Sequence, residues 1–372
     1  MSKVKWVKLG SFIEQLYEKN SDKKFGESEA IGVNIDKEIR PMKGHLDNKD
    51  FESFFVVRPC SFVYNPRGSR KLGLGYNDTQ YTYITTFNNV IFHIKDDIKV
   101  LNPLFLFLYL SRKEWDRKAE YMSWGSSTEV FSWNTLCDIE IPLPSLSEQQ
   151  KVVNAWKAFR EIKEQNEAKA APLMQLCQSY IQELKHKTKA TYRIGKAIRL
   201  QDETNTENKL YDVLGLNKDK EFMPTVANLG NVSLKKYKVV SKGQFAFSGM
   251  QTGRDICIRI SLYEKDVPAL ISPAYTTFTL DEKEPLLPEY MMLVFKNPEM
   301  DRLGWFYSDS SVRSNLDWNR FLDIEIPYVP LDVQRAIVNI YKCANEAKQI
   351  AAEADRLSRE VCPALLQHVI HS

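Results

Sequence analysis

The chain has 372 residues, of which 43% are hydrophobic and 27% charged, and its formal net charge is +3. This composition is that of an ordinary soluble globular protein with room for two or three domains. A balance so close to neutral excludes a chain-wide polycation, so any contact with nucleic acid must come from local basic patches.

No segment indicates secretion or membrane insertion. The opening residues MSKVKWVKLG lack the apolar core of a signal peptide, and the longest apolar run, PLFLFLYL from Pro103, is far shorter than a membrane span. The six cysteines lie far apart without a CxxC pair, which argues against a zinc ribbon and against a disulfide framework. We therefore expect a cytoplasmic protein with reduced thiols and no membrane partner.

A mixed globular region is predicted for residues 1–146. The stretch SFVYN from Ser61 has strand-like alternation, and the region closes with DIEIP, where Ile139 and Ile141 alternate with acidic residues. This pattern predicts a half-buried strand that ends at Pro142.

A long helix is predicted next, over residues 147–189. Ser147 followed by Gln150 forms a capping-box pattern, which places the start of the helix there. Pro172 lies inside the helix, so we expect the helix to bend or to consist of two stacked segments. The residues with helical apolar spacing are Val152, Val153, Trp156, Phe159, Leu173, Leu176, Tyr180 and Leu184.

The same order of elements follows in the second half. A globular region over 190–331 contains QFAFS from Gln244 and closes with a second DIEIP strand, and Asp332 is the predicted cap of a helix over 332–372. Pro363 again lies inside this helix. Its narrow apolar seam, of the coiled-coil type, comprises Ala347, Ala351, Ala354, Val361 and Leu365.

The two halves are copies of one unit. The stretch WNTLCDIEIPLPSLSEQQKVVN at Trp133 and the stretch WNRFLDIEIPYVPLDVQRAIVN at Trp318 are identical at 11 of 22 positions and lie 185 residues apart. The same shift carries Leu9-Gly10 onto Ile194-Gly195, and Pro103 onto Pro288. A period this long indicates two copies of a whole domain and not a solenoid.

We therefore predict an α+β fold with two pseudo-repeated mixed α/β globular domains joined by two long helices. Both helices are polar outside their seams, and such helices are stable only when an apolar face is packed. Each helix could pack on its own globular region, but similar seams on both favour pairing with each other. The chain order, globule then helix twice, favours an antiparallel, coiled-coil-like spacer.

The motifs of common catalytic sites are absent from the sequence. Asn65-Pro66-Arg67 begins like the Asn-Pro-Pro-aromatic loop of adenine methyltransferases but lacks the aromatic residue, so we interpret it as a plain turn. The sequence contains no GxxxxGK[ST] loop, and its five histidines have no metal-ligand spacing. We predict a chain without catalytic, cofactor or metal residues.

The copies differ most in the interior of the globular regions, where RPCSFVYNPRGSRKLGLGY corresponds to SKGQFAFSGMQTGRDICIR, and these stretches include the turns after the SFVYN and QFAFS strands. Residues able to contact bases or phosphates cluster there, although a solvated surface turn would have the same composition. We predict DNA-binding residues in these turns and, as weaker candidates, in two later loops. The candidates are Arg67, Ser69, Arg70 and Lys71 in the first copy, Gln251, Thr252 and Arg254 in the second, and Thr128 and Arg313 in the loops.

The repeated motif, with an aromatic-Asn pair, IxIP, a Gln and paired valines at the start of a helix, resembles the specificity subunit of type I restriction-modification systems. The resemblance spans the whole chain. It implies two target-recognition domains, each reading one half of a split double-stranded DNA target, and paired helices that set the spacing and dock two methyltransferase subunits. A helix of roughly 30 to 40 residues would be about 45 to 60 Å long, against about 34 Å for one DNA turn.

The resemblance also implies the other parts of the complex. The S-adenosylmethionine would be bound by the methyltransferase subunits, and ATP and Mg by two restriction subunits, with no cofactor in this chain. Two alternatives remain: a tandem adaptor that binds only proteins, and a stand-alone DNA-modifying enzyme. Steep salt dependence of DNA binding would separate the specificity subunit from the adaptor.

Overall fold

The computed structural model describes residues 4–43, 50–67, 71–123, 130–187, 190–230, 232–309, 311 and 314–371. The chain divides into two compact units, Met1–Glu164 with Ile350–Ser372, and Gln165–Gln349. The expected α+β architecture of two repeated mixed domains is confirmed. The predicted boundaries treat the long helices as separate spacers, whereas each compact unit contains one half of each helix.

The first unit is built from short strands and helices. Its strands are β1 (Lys5–Lys8), β2 (Ile13–Leu16), β3 (Ile31–Val33), β4 (Ile39–Pro41), β5 (Phe55–Val57), β6 (Phe62–Tyr64), β7 (Leu74–Tyr76), β8 (Tyr83–Thr85), β9 (Val90–Ile94) and β10 (Glu140–Leu143). Its helices are α1 (Pro103–Leu110), α2 (Lys113–Ser123) and α3 (Trp133–Asp138), and the long helix α4 (Leu146–Lys187) begins in this unit. The central sheet is antiparallel with the order β2-β9-β6-β7, and β1–β10, β3–β4 and β5–β8 form separate pairs.

The second unit repeats this plan. Its strands are β11 (Thr191–Arg193), β12 (Ile198–Gln201), β13 (Val213–Leu216), β14 (Phe222–Pro224), β15 (Lys238–Val240), β16 (Phe245–Ser248), β17 (Arg259–Leu262), β18 (Ala269–Ile271), β19 (Thr276–Leu280) and β20 (Glu325–Pro327). Its helices are α5 (Thr252–Asp255), α6 (Pro288–Phe295), α7 (Pro298–Tyr307) and α8 (Trp318–Leu322), and α9 (Leu331–His371) begins here. The sheet β12-β19-β16-β17 matches the first unit's central sheet, and β14-β13-β18-β15 forms a second sheet.

The repeated tryptophans complete equivalent cores. Trp133 packs against Phe92 with 5.8 Å between ring centroids, and Trp318 packs against Phe278 at 5.7 Å. Both phenylalanines are fully buried in the central sheet of their unit. The identity of this residue in both halves of the sequence is therefore a requirement of core packing.

The DIEIP stretches form the predicted closing strands. β10 pairs antiparallel with β1, and β20 pairs antiparallel with β11. Ile141 and Ile326 are buried, while Glu140 and Glu325 face solvent, as the alternation predicted. The carboxylates of these strands therefore lie on a solvated face.

The repeated glycines allow close contact with the short helix before each closing strand. A methyl group on Gly10 would lie 2.7 Å from Cβ of Cys137 in α3. A methyl group on Gly195 would lie 2.7 Å from the carbonyl oxygen of Leu322 in α8. Any larger side chain would push the backbone away from the helix at both places.

Both long helices begin earlier than the sequence predicted. In α4 the cap is Ser145, whose Oγ accepts a hydrogen bond from the Glu148 N–H at 3.4 Å. Ser147 lies inside the first turn, so its predicted capping role is wrong. Asp332 likewise lies in the first turn of α9, where its charge suits the helix N-terminus.

The prolines do not divide the helices. Pro172 and Pro363 both lie within one continuous helix, so the alternative of two stacked segments is wrong. Pro172 is exposed, which lets water satisfy the backbone carbonyl that its missing N–H would have bonded.

The long helices pack against each other in an antiparallel direction. In the first unit, Val152 of α4 shares a core with Val369 of α9, and the Lys163 ammonium lies 2.9 Å from the Asp355 carboxylate. Residue numbers rise along α4 as they fall along α9. In the second unit the buried Cys177 thiol lies 3.8 Å from the carbonyl oxygen of Ile337. The predicted antiparallel pairing is confirmed.

The seam on α4 differs from the predicted one in its second half. Leu176 and Tyr180 are 52% and 39% exposed, whereas their neighbours Cys177 and Ile181 are buried. The apolar stripe of the sequence is wider than the surface that the partner helix covers, so periodicity alone selects the wrong members. On α9 the predicted alanines Ala347, Ala351 and Ala354 are all buried.

Within the described ranges, no helix has the combination of length and apolarity needed to cross a membrane.

Candidate functional site

The turn that joins β16 to β17, here called turn 249–258, contains the short helix α5. Left-handed residues precede and follow this helix, Gln251 with φ of 61° and Ile256 with φ of 47°. Such conformations are costly for residues other than glycine, above all for a β-branched one. The Gln251 N–H donates to Oδ1 of Asn315 at 3.0 Å, and the Gly253 N–H donates to the carbonyl of Ser314 at 2.8 Å. The turn is therefore held by the loop that follows α7.

Three cationic side chains surround the carboxylate of Asp255 in this turn. The Asp255 side chain is 8% exposed, and its carboxylate lies 3.0 Å from Arg254, 2.6 Å from Arg259 and 3.9 Å from Lys218. The hydrogen bond from Arg254 is the main reason why the pKa of Asp255 lies below its ordinary value. We call these four residues the Asp255 cluster; it carries a net positive charge.

The Arg254 guanidinium is pre-positioned by two partners. Its Nε donates to Asp255, and its Nη2 donates to Oε1 of Gln251 at 2.7 Å. The side chain is nevertheless 57% exposed. A guanidinium oriented in this way can donate to a phosphate or to the edge of a guanine with little loss of conformational entropy.

Thr252 does not belong to the exposed surface. It is fully buried, and its Oγ1 donates to the carbonyl of Gly249 at 3.0 Å. It packs against α7, where a methyl group on Gly304 would lie 3.3 Å from its Cγ2. The expectation that Thr252 faces a ligand is wrong, because the hydroxyl stabilises the turn.

The corresponding segment of the first unit, here called turn 65–72, lies between β6 and β7 in the sequence, and the structure describes its residues 65–67, 71 and 72. The Arg67 N–H donates to Oδ1 of Asn65 at 2.9 Å, which agrees with the interpretation of Asn65-Pro66-Arg67 as a turn. Arg67 and Lys71 are exposed. Arg67 also forms a β-bridge with Val130, which lies between α2 and α3. This turn therefore contacts the segment after α2, as turn 249–258 contacts the loop after α7. The other candidates, Ser69, Arg70, Thr128 and Arg313, lie outside the described residues.

Sequence reasoning missed an exposed stripe on α2 and on its counterpart α7. Arg117 and Tyr121 lie one turn apart on α2, as Arg302 and Phe306 do on α7. The two rings are 76% and 77% exposed. The sequence signal was the shared Glu-x-Asp-Arg at 114–117 and 299–302. An exposed ring beside an arginine suits stacking on a base together with a phosphate contact.

The charged groups of this site decide which chemistry it can support. Its prominent charged groups are cations held by a carboxylate, and the described residues contain no group of three or more His, Cys, Asp or Glu that could hold a metal ion. Basic side chains on a turn held by hydrogen bonds can recognise phosphates and base edges. This chemistry requires no proton transfer and no nucleophile.

The chain is similar to known proteins in sequence and in fold. Residues 3–171 match the family model of the type I restriction modification DNA specificity domain. The fold is similar to the crystal structure of a type I restriction-modification system S subunit from M. genitalium, with a TM-score of 0.58 and 15% sequence identity over 99% of this chain and 97% of that one. It is also similar, with a TM-score of 0.44 and 16% identity over 100% and 97% of the chains, to the HsdS subunit from Thermoanaerobacter tengcongensis. No curated protein shows a significant sequence match.

Proposed function

We propose that this chain, whose residues 3–171 match the type I restriction modification DNA specificity domain, acts as a specificity subunit and reads a bipartite DNA target, one half with each globular unit. The description of that domain names DNA specificity as its role. The observation that carries the proposal is one scaffold present twice with unlike basic turns at the same position, turn 65–72 and turn 249–258. A repeated scaffold that carries basic turns of different sequence at the same position is suited to reading two different DNA sequences.

The Asp255 cluster supplies the chemistry of the second half-site. Arg254 is exposed and oriented, and Lys218 adds a cation 64% exposed beside it. Arginine bonds guanine in two places, while lysine serves phosphates as a point charge. The exposed ring of Phe306, on the helix that packs against the turn, adds a surface for stacking or wedging.

The paired helices supply the spacing and the docking surface in this proposal. Helix α4 has 42 residues, which corresponds to a length of about 63 Å. Two copies of a methyltransferase subunit, which carry S-adenosylmethionine, would bind the duplicated scaffold. Restriction subunits with ATP and Mg would join the same complex in the cytoplasm.

Mapping methylated adenines in cells that express this chain with its methyltransferase partner tests the function. A split motif with two fixed halves and an unspecified spacer is the expected result. A continuous motif, or no motif that depends on this chain, would refute the proposal.

Arg254→Ala tests the site. Loss of a bidentate base contact is expected to cost about 1–3 kcal/mol of discrimination, and only in the half read by the second unit. Arg356→Ala is the matched control, because Arg356 is an exposed arginine that likewise pairs with carboxylates but lies on α9. Relaxed specificity at both halves, or equal effects of the two variants, would contradict the assignment.

The salt dependence of DNA binding separates this function from that of a protein adaptor. Phosphate contacts release counterions, so the DNA affinity of the assembled complex should fall steeply between 50 and 200 mM salt. For six phosphate contacts the expected loss of affinity is about 10³-fold. A flat salt dependence would favour the adaptor.

A further inference from the structure

A lysine at the tip of one hairpin has the same unusual conformation in both units. Lys37 lies between β3 and β4 with φ of 63°, and Lys220 lies between β13 and β14 with φ of 62°. Both belong to the pattern Asn-x-Asp-Lys-Glu, at 34–38 and 217–221. The left-handed conformation costs about 1–2 kcal/mol for a residue other than glycine, so its presence in both copies calls for a physical reason.

Each of these lysines forms a buried ion pair with α2 or with its counterpart in the second unit, α7. The Lys37 ammonium bonds the Asp116 carboxylate in α2, and the Lys220 ammonium lies 2.7 Å from the Asp301 carboxylate in α7. The lysine side chains are only 7% and 4% exposed. Burial lowers the pKa of Lys37, against the opposing effect of Asp116. Desolvating two charges costs several kcal/mol per ion, and apolar residues of similar volume often replace such a pair without loss of stability.

Both ion pairs also hold the end of a candidate DNA-reading turn. In the first unit, Nζ of Lys37 donates to the carbonyl of Leu72, the last residue of turn 65–72, at 2.5 Å. In the second unit, Oδ1 of Asp301 accepts from the N–H of Ile258, the last residue of turn 249–258, at 2.8 Å. One pair uses the cation and the other the carboxylate, but each connects a hairpin tip, the helix α2 or α7, and the end of the turn.

The second pair is close to the Asp255 cluster along the chain. Ile258 directly precedes Arg259, which donates to Asp255 at 2.6 Å. Lys218 of the cluster belongs to the same hairpin tip as Lys220, and its carbonyl accepts from the Cys257 thiol at 3.3 Å. A shift of the ion pair would therefore displace two of the cations that surround Asp255.

We propose that the Lys37–Asp116 and Lys220–Asp301 pairs are positioning devices that fix the register of the two turns against DNA, so that each pair controls how strictly its own half-site is read. This inference rests on the proposed DNA-reading function. A directional pair fixes one arrangement of three segments, whereas an apolar contact would allow the segments to slide. The turns differ in sequence while the pairs are the same, as expected when the support is shared and the recognised bases are not.

The test uses the assembled complex and duplexes that carry the split motif found by methylation mapping, either intact or altered in one half. Asp301→Asn keeps an oxygen acceptor for the Ile258 N–H but leaves the Lys220 charge unpaired. Discrimination between the intact duplex and the one altered in the second unit's half should fall by about tenfold, the scale of one base contact. Discrimination at the other half should not change. Asp116→Asn should give the mirror result.

Two further variants separate positioning from stability. Lys220→Met combined with Asp301→Asn removes both charges and keeps an oxygen acceptor for the Ile258 N–H, so the melting temperature should recover while discrimination stays low. Tyr290→Phe removes a buried hydrogen bond to the Pro327 carbonyl in the same unit, and it should lower stability without changing discrimination.

Full discrimination by the charge-free double variant, or an equal loss with Tyr290→Phe, would overturn the inference and leave the proposed function standing. Failure of the unmodified complex to prefer the split motif would instead overturn the proposed function, and the inference with it.

Discussion

A fully buried glutamine near the start of each long helix should be one of the strongest single stabilising residues of its unit. In the second unit, Oε1 of Gln334 accepts from the Leu287 N–H at 2.9 Å, and its Nε2 donates to the carbonyls of Pro285 and Val329 at 2.9 and 2.8 Å. Gln334→Leu keeps the approximate volume but strands these three backbone groups. Each buried unpaired group costs about 1–3 kcal/mol, so for three groups we expect a loss of about 3–9 kcal/mol.

Urea unfolding, with hydrogen exchange resolved for each unit, measures this effect. Gln149 makes the matching bonds in the first unit, to the Asn102 N–H and to the carbonyls of Val100 and Pro144, so Gln149→Leu should destabilise that unit equally. Gln150 is the matched control, because this exposed neighbour should tolerate Leu within about 0.5 kcal/mol. A loss below about 1 kcal/mol for the buried positions would refute the assigned role, since it is smaller than the cost of one stranded group.

The remaining predictions concern the helix pair and the thiols. Leu366→Ala in α9 should lower the stability of the first unit by about 2–5 kcal/mol, because Leu366 lies in that unit's core despite its distance in sequence; destabilisation confined to the second unit in hydrogen exchange would contradict the packing. In the native protein a thiol reagent at pH 8 should label the exposed Cys60 and Cys343 first. Burial raises the pKa of Cys177 and Cys362, so fast labelling of either, read by mass spectrometry, would contradict the packed seam.

Most of the fold could be predicted because the sequence contains an internal repeat. Residues that keep their identity across both halves, such as Trp133, Gly10 and Gln149, each fill a place where packing or backbone hydrogen bonding allows one side chain. Those places recur because the scaffold recurs. An internal comparison therefore identifies scaffold residues without a structure.

Positions that depend on a neighbouring element could not be predicted in the same way. The seam of α4 shifted from Leu176 to Cys177 because the partner helix decides which apolar residues are covered. Thr252 was taken for a surface residue because its polarity was visible in the sequence and the packing of α7 against it was not. Such errors follow from contacts between residues far apart in the chain.

The Lys–Asp pairs were missed although both partners are present in both copies. Their spacing differs, since Asp116 follows Lys37 by 79 residues and Asp301 follows Lys220 by 81. A search at the fixed shift of 185 residues therefore aligns the aspartates but not the lysines. The hairpin therefore lies two residues nearer to its helix in the sequence of the first unit, yet it makes the same lysine–aspartate contact in both units. Both halves contain the Lys–Asp ion pair, although the turn beside it differs in sequence. This is expected if the ion pair supports the turn and the turn supplies the variable surface.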